Sequence, residues 1–329
     1  MRRVLRAALV LAVTAVPILL AAAQPKSLKL VSTAWPPFTN GEGGPRFALD
    51  LVEAALGRMH MPSQTTIVSP SEFSAKLLSG DFDGSAAAWR DPMRELVLVY
   101  SRPYLENRLV LVGRHGADVS APALTALKGK KIAIVDGYSY GAAIEASGPI
   151  WIRTDTEEDS LSALLKGGAD YTLMDELVVR YLVDAYPQES GARLSIGTSP
   201  LITRELYLAI SRTRHDAESI IDGFNTQIRA MIKDRTYHKL LNLDWITADV
   251  NGDGIPDFVP ATDRPGPAAP ARPYSIFSLP SSMTAQSKTD FFIGGNTYDD
   301  WASVPESYKR AEPAERDPRR PTPLYKFVW

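Results

Sequence analysis

The chain has 329 residues, a formal charge of −2, four histidines and no cysteine. That length is ample for ordinary hydrophobic cores, and the missing cysteine excludes a disulfide framework, thiol catalysis and thiolate metal sites. The near-neutral balance argues against a nucleic-acid partner, and His60, His115, His215 and His238 show no paired metal-ligand spacing.

The chain opens with a basic "MRRVLR", the apolar run "AALVLAVTAVPILL" and the small residues "AAAQ". This is the form of a secretory signal peptide over residues 1–23, cut near Ala23, and it is too short and too early for a spanning helix. Without a following cysteine, lipoprotein acylation is excluded. The expectation is a mature chain free in the periplasm.

From Leu28 to Ser32 the pattern predicts a strand that enters the Pro-rich loop "AWPPF". "RFALDLVEAALGRMH" has helical periodicity, with Phe47, Leu51, Ala54 and Ala55 on one face. The β-branched "QTTIVSP" reads as a second strand. "SEFSAKLLSGDFDG" reads as a short helix with Phe73, Leu77 and Leu78 inward and Gly80 near its end. The small apolar residues from Asp83 onward give a third strand, followed abruptly by the basic Arg90 and Arg94. Strands alternating with helices imply a right-handed, mostly parallel α/β lobe.

The pattern then restarts. Lys131–Val135 predicts a strand feeding a Gly-bounded turn and a helix; "DSLSALLKGG" a helix and its stop; Ala169–Leu173 a strand and then a further helix. "RELYLAISR" is one more strand, and Ile220, Phe224, Ile228, Met231 and Ile232 stripe a long helix. Tyr104–Val112 reads as the first crossing between two lobes and Leu206–Ser211 as the return. The expected organisation is residues 27–108 plus 206–248 as lobe 1 and 109–205 as lobe 2. Such a pair hinges at its crossovers around a cleft.

Beyond the second lobe, "DVNGDGIPDF" (249–258) places side-chain oxygens at Asp249, Asn251, Asp253 and Asp257, with Gly254 at the sixth position and the Ile255 carbonyl at the seventh. The one-three-five-seven-nine spacing resembles an EF-hand-like calcium loop, such as those of dockerins. Position twelve is Pro260, so the usual bidentate Glu is missing and a neighbouring carboxylate or water must complete the shell. A plain Asn-Gly/Asp-Gly turn is the alternative. Any Ca2+ here would be structural. Residues 259–329 begin with a Pro/Ala linker and carry too few apolar residues to build a core of their own, so a C-terminal strap is expected.

Five segments in order carry a resemblance: "AWPPF" (34–38), "GGPRFALDL" (43–51), "RDPMRELVLVYSRPY" (90–104), "LKGKKIAIVDGYSYG" (127–141) and "GGADYTLMDELVVRYLV" (167–183). Together they resemble the family 3 extracellular solute-binding proteins, the polar amino acid class served by ATP-binding-cassette importers, over Leu28 to Trp245. The resemblance implies a two-lobed type II periplasmic binding protein fold with an interlobe cleft, here with an extended C-terminal tail. It further implies that Arg94 clamps a ligand carboxylate, Asp175 receives a ligand amine, Trp35 packs on the ligand, and Ser139 in the Gly-Tyr-Ser-Tyr turn donates a hydroxyl. Tyr138 would line the cleft or pack beneath it. An arginine fork suits a planar carboxylate, and a helix N-terminus after Gly137 would offer N–H groups to an anion.

Alternatives stand beside these roles: Asp175 as the N-cap of the following helix, Trp35 as a loop anchor, and Trp89 as a packing aromatic rather than a pocket wall. Trp89 and Asp91 replace the hydroxyl residues usual in the family five and three positions before the arginine. The expected ligand is therefore a small anionic or zwitterionic solute. The implied function is capture of that solute by a monomer for an inner-membrane ABC permease, without chemistry. A cyclohexadienyl dehydratase-like enzyme, with Asp175 or Glu176 as general acid, and an accessory or sensory protein docking through Trp301 and Trp329 are the other readings.

Overall fold

The computed structural model describes residues 27–41, 43–141, 144, 146–185, 193–241, 243–251, 253, 255–266, 274–275 and 290–310. The expected signal peptide, most of the helix expected after Gly141, and Trp329 lie outside the described residues. Among the described residues no helix is long and apolar enough to cross a membrane.

Lobe 1 starts with β1 (Leu28–Thr33), α1 (Phe47–Arg58), β2 (Ser63–Val68), α2 (Pro70–Leu78) and β3 (Gly84–Ala88). β1 runs parallel to both β2 and β3, which requires α1 and α2 as crossovers. Phe47, Leu51, Val52 and Ala55 bury the inner stripe of α1. In α2 the burial of Phe73 and Leu77 is as expected, but Leu78 is 53% exposed. It is the last residue of the helix, one position beyond Leu77, and a 100° step turns it to solvent.

The chain leaves lobe 1 through β4 (Leu98–Tyr100) and the ten-residue β5 (Leu105–Arg114). Lobe 2 comprises β6 (Lys131–Val135), β7 (Ile150–Thr154), α3 (Glu157–Leu165), β8 (Tyr171–Asp175), α4 (Glu176–Ala185) and β9 (Leu194–Ile196). β10 (Ile202–Ser211) returns to lobe 1, closed by α5 (Ala217–Lys233) and α6 (Thr236–Leu241). The order is β2-β1-β3-β10-β5-β8-β6-β7, with β4 added to β10 and β9 to β5.

The crossings pair with each other. Ile202–Leu206 of β10 lies antiparallel to Leu105–Leu109 of β5. Beyond that ribbon, β10 joins β3 and β4 in lobe 1, whereas β5 joins β8 in lobe 2. The stripe expected on α5 is buried in full: Ile220, Phe224, Ile228, Met231 and Ile232, with Ala217 and Ile221 beside it.

The tail is more than a strap. β11 (Trp245–Ala248), β12 (Asp257–Pro260), β13 (Tyr274–Ser275), β14 (Asp290–Ile293) and β15 (Asn296–Tyr298) form a second sheet in the order β13-β11-β12-β14-β15. Its small core gathers Phe291, Ile293 and Val304 against Trp245, Phe258, Trp301 and Tyr308. Trp245 and Phe258 precede the linker, so the tail borrows apolar surface that its own composition lacks. Buried His238 on α6 joins the sheet to the body through Nε2 and the Val259 carbonyl at 3.0 Å.

Candidate functional site

The carboxyl end of β3 faces lobe 2, and the residues after it form one wall of the cleft. Asp91 accepts the backbone N–H groups of Met93 and Arg94, at 2.9 and 3.3 Å, and so caps the short turn Arg94–Leu96. The family's hydroxyl is gone from position 91, but its replacement fixes the backbone that carries the arginine. Arg94 Nη2 donates to Ser74 Oγ at 2.6 Å, and its guanidinium lies 5.5 Å from the Phe73 ring centre. Both partners belong to α2. Among the described residues no carboxylate pairs with Arg94.

Arg94 borders a pocket whose walls include Trp35, Phe73, Trp89, Gly137, Tyr138 and Ser139. The structure thus brings together Trp35, Trp89, Arg94, Tyr138 and Ser139 from the sequence-derived set. The space left is only about 50 Å³, too little for an amino acid-sized solute, because aromatic rings occupy it. Trp35, Trp89 and Tyr138 meet edge-to-face with centroids 5.6–5.7 Å apart, and Tyr140 stands 5.5 Å from Trp89. Trp35 and Trp89 come from lobe 1, Tyr138 and Tyr140 from lobe 2. Each such pair contributes about 0.5–1.5 kcal/mol beyond its buried area, so the rings hold the lobes shut.

Polar contacts reinforce the closure. Trp35 Nε1 donates to Glu157 Oε1 at 3.2 Å across the cleft. Arg204 Nη2, on β10, donates to the carbonyls of Arg90 and Ser139, both at 2.9 Å, and its guanidinium stacks 5.5 Å from the Trp89 ring centre. Gly137 has φ +78°, and a Cβ there would stand 2.8 Å from the Pro70 carbonyl at the start of α2. Only glycine allows both that backbone and that approach between lobes.

Asp175 is not in the pocket wall. It is 1% exposed and its oxygens are taken: Oδ1 accepts Leu177 N–H at 2.8 Å, and Oδ2 accepts Arg108 N–H at 2.9 Å and Asn107 Nδ2 at 3.3 Å. It caps α4, as the alternative reading had it, and does not present a free carboxylate to a ligand amine. Asn107 in turn accepts the Trp89 indole N–H at 2.7 Å. Burial pushes the Asp175 carboxyl up to about 7 against the pull of these donors.

Sequence reasoning missed Glu157, Asn107 and Arg204. Glu157 is 8% exposed, and its Oε2 is buried with no hydrogen-bond partner. Burial pushes its carboxyl up to about 8, the charge of Asp175 adds to this, and the Trp35 N–H opposes it. In sequence it is one of three acids opening a helix behind the N-cap Thr156, where carboxylates usually serve the helix dipole. Nothing local marks it as buried. Arg204 has the same character: one charged residue among many in a strand, distinguished only by what the fold brings beside it.

The metal residues are elsewhere. Asp249, Asn251, Asp253, Ile255 and Asp257 lie between β11 and β12, in the tail sheet. Among the described residues no three His, Asp or Glu side chains already converge as a metal group.

The model of the bacterial extracellular solute-binding proteins, family 3, matches residues 30–247. The virulence sensor protein BvgS of Bordetella bronchiseptica is 30% identical over 155 residues, a stretch that is 46% of this chain and 12% of that protein. Among solved structures, an ancestral arginine-binding protein bound to arginine is similar with a TM-score of 0.56 and 23% identity, covering 67% of this chain and 98% of the other. A histidine kinase sensor domain with similarity to periplasmic binding proteins has a TM-score of 0.57 and 20% identity, covering 66% and 95%.

Proposed function

The chain belongs to the bacterial extracellular solute-binding proteins, family 3, and from that premise we propose that it captures a small carboxylate-bearing or zwitterionic solute between its lobes. One observation carries this: a guanidinium oriented by Ser74 and Phe73 stands at the pocket with no carboxylate partner among the described residues. A planar carboxylate is the complement of that fork. The solute enters when the lobes part, and it replaces ring–ring contacts between Trp35, Trp89 and Tyr138. A ligand ammonium meets aromatic faces here rather than the Asp175 carboxylate, which favours cation–π contact.

The proposed setting is the periplasm after removal of the leader, with a monomer handing its solute to an ABC permease. Binding proceeds without chemistry. Supporting this, Asp175 is consumed as a helix cap, and Glu176 lies 3.7 Å from Arg108 and 3.5 Å from Arg180. Absence of turnover of a prephenate-like cyclic acid would agree; measurable dehydration would sink it.

Mass spectrometry of small molecules released from denatured protein identifies the solute, and calorimetry with it tests the site. Arg94→Ala is expected to weaken binding by at least thirtyfold, the equivalent of about 2 kcal/mol for removing one partner of a desolvated charge pair. Unchanged affinity would reject Arg94 as the clamp.

A second reading is sensing rather than delivery. BvgS and the histidine kinase sensor domain are sensors by name, and a cleft shut on its own aromatic side chains reports ligand entry as opening. Uptake of labelled solute lost on deletion of the protein would favour delivery; intact uptake with a copurifying protein bound through the tail would favour sensing.

A further inference from the structure

We infer that the 249–257 loop and Asp290 together form a calcium site, with Asp290 supplying the carboxylate that Pro260 cannot give at position twelve. The loop spans β11 and β12, whose antiparallel register ends at Ala248 opposite Asp257. Its two ends are therefore held side by side. Asp257 is fully buried: Oδ2 accepts the Val250 N–H at 2.9 Å, and Oδ1 is buried with no hydrogen-bond partner. A carboxylate oxygen in that position needs a proton donor or a cation.

On its other side β12 runs parallel to β14 with Asp257 in register with Asp290. Register partners in a sheet project to the same face. Asp290 is 4% exposed, and its backbone N–H is tied to the Pro256 carbonyl at 3.1 Å. Two acidic residues are thus buried side by side on adjacent strands. Burying two carboxylates side by side is costly unless something positive sits between them.

The donor set selects the ion. Carboxylates of Asp249, Asp253, Asp257 and Asp290, the Asn251 amide oxygen and the Ile255 carbonyl are all hard oxygens, with no nitrogen or sulfur. Six mixed oxygens on a loop suit calcium, which accepts six to eight in a flexible shell, better than magnesium, which wants a near-ideal octahedron. Asn251 and Asp253 are exposed, and Asp249 stands beside the groove lined by Arg102 and Arg229. Ion binding therefore draws the outer ligands in toward the fixed pair Asp257 and Asp290. The ion ties the exit of the last body helix to a strand beyond the linker, and so fixes the tail on the body.

The test is calorimetry of the purified chain, stripped with chelator, against calcium chloride and separately magnesium chloride. One calcium per chain is expected, in the roughly 10⁻⁴–10⁻³ M range of extracellular modules, with weaker magnesium binding. Asp290→Asn is expected to weaken calcium at least tenfold. In chelator its melting temperature should equal or exceed that of the parent, because one buried like charge is removed. Asp253→Ala, at an exposed position whose carboxylate bonds only within the loop, to Ile255 N–H and Asn251 Nδ2, should also lose calcium. No calcium binding at about ten times that range overturns the site, and parental calcium affinity in Asp290→Asn overturns the role given to Asp290. Arg94→Ala should bind calcium as the parent does.

Discussion

Glu157 shows how the closed cleft couples to pH. Its carboxyl is pushed up to about 8, and that of Asp175 to about 7, both chiefly by burial, against about 4 in the unfolded chain. The folded state therefore keeps protons that the unfolded state releases. Stability from the neutral carboxyls is complete below about pH 4 and is lost as pH rises through 7 to 8. Glu157→Gln preserves the acceptor for Trp35 and cannot ionise. Thermal melts at about pH 5 and about pH 9 should show the parent losing stability at the higher value and the variant losing less, since only Asp175 still titrates. Parallel curves would mean that Glu157 does not titrate at the lobe interface. At this scale sequence and structure diverge most. Trp35, Trp89, Arg94, Tyr138 and Ser139 were legible because they sit in or beside segments of family pattern. Glu157 and Asn107 were not, since their weight comes from burial and from partners 122 and 18 residues away. Asp175 lay in a matching segment, yet its neighbours' N–H groups claim both oxygens.

Among the elements, the approach of β3 to β10 sets how tightly lobe 1 closes on the return strand. A Cβ on Gly84 would stand 1.9 Å from the Ala209 carbonyl oxygen, where the pairing of β10 with β3 shifts register between Tyr207 and Ala209. Gly84→Ala forces the strands apart at the start of β3, the end of the strand away from the cleft. It should destabilise the protein by about 1–3 kcal/mol, the range for overpacking, read as a lower urea midpoint; an unmoved midpoint would mean that the strands yield freely. The elements themselves were largely readable. Lys131–Val135 was placed to the residue, and the α5 stripe was named in full, because 3.6- and 2-residue periodicities survive in a chain whose cores are conventional. The tail sheet was not readable. Its strands pair across a linker and borrow Trp245 and Phe258 from before it, and no local window contains both partners.

For the whole molecule, the question is what holds two lobes together over a cleft with so little free space. Arg204 bonds one carbonyl in each lobe from the hinge strand itself, so its removal should free the lobes without touching either core. Arg204→Met, which keeps an apolar stem beside Trp89, is expected to raise the radius of gyration in small-angle X-ray scattering of the ligand-free protein. It should also speed solute association, since the open state is the one that admits it. An unchanged radius with an unchanged association rate would assign closure to the aromatic rings alone.

The two crossings also impose an order on how the chain can assemble. Lobe 2 is one uninterrupted stretch between β5 and β10, so everything it needs to pack has emerged before the return strand appears. The earlier portion of lobe 1 has no such independence. β3 must wait for β10, more than a hundred residues later, with its edge unpaired and α1 lacking α5 to cover it. A protein built this way is most exposed to misassociation early in its synthesis, and a fragment ending before Ile202 would hold one finished half and one unfinished half.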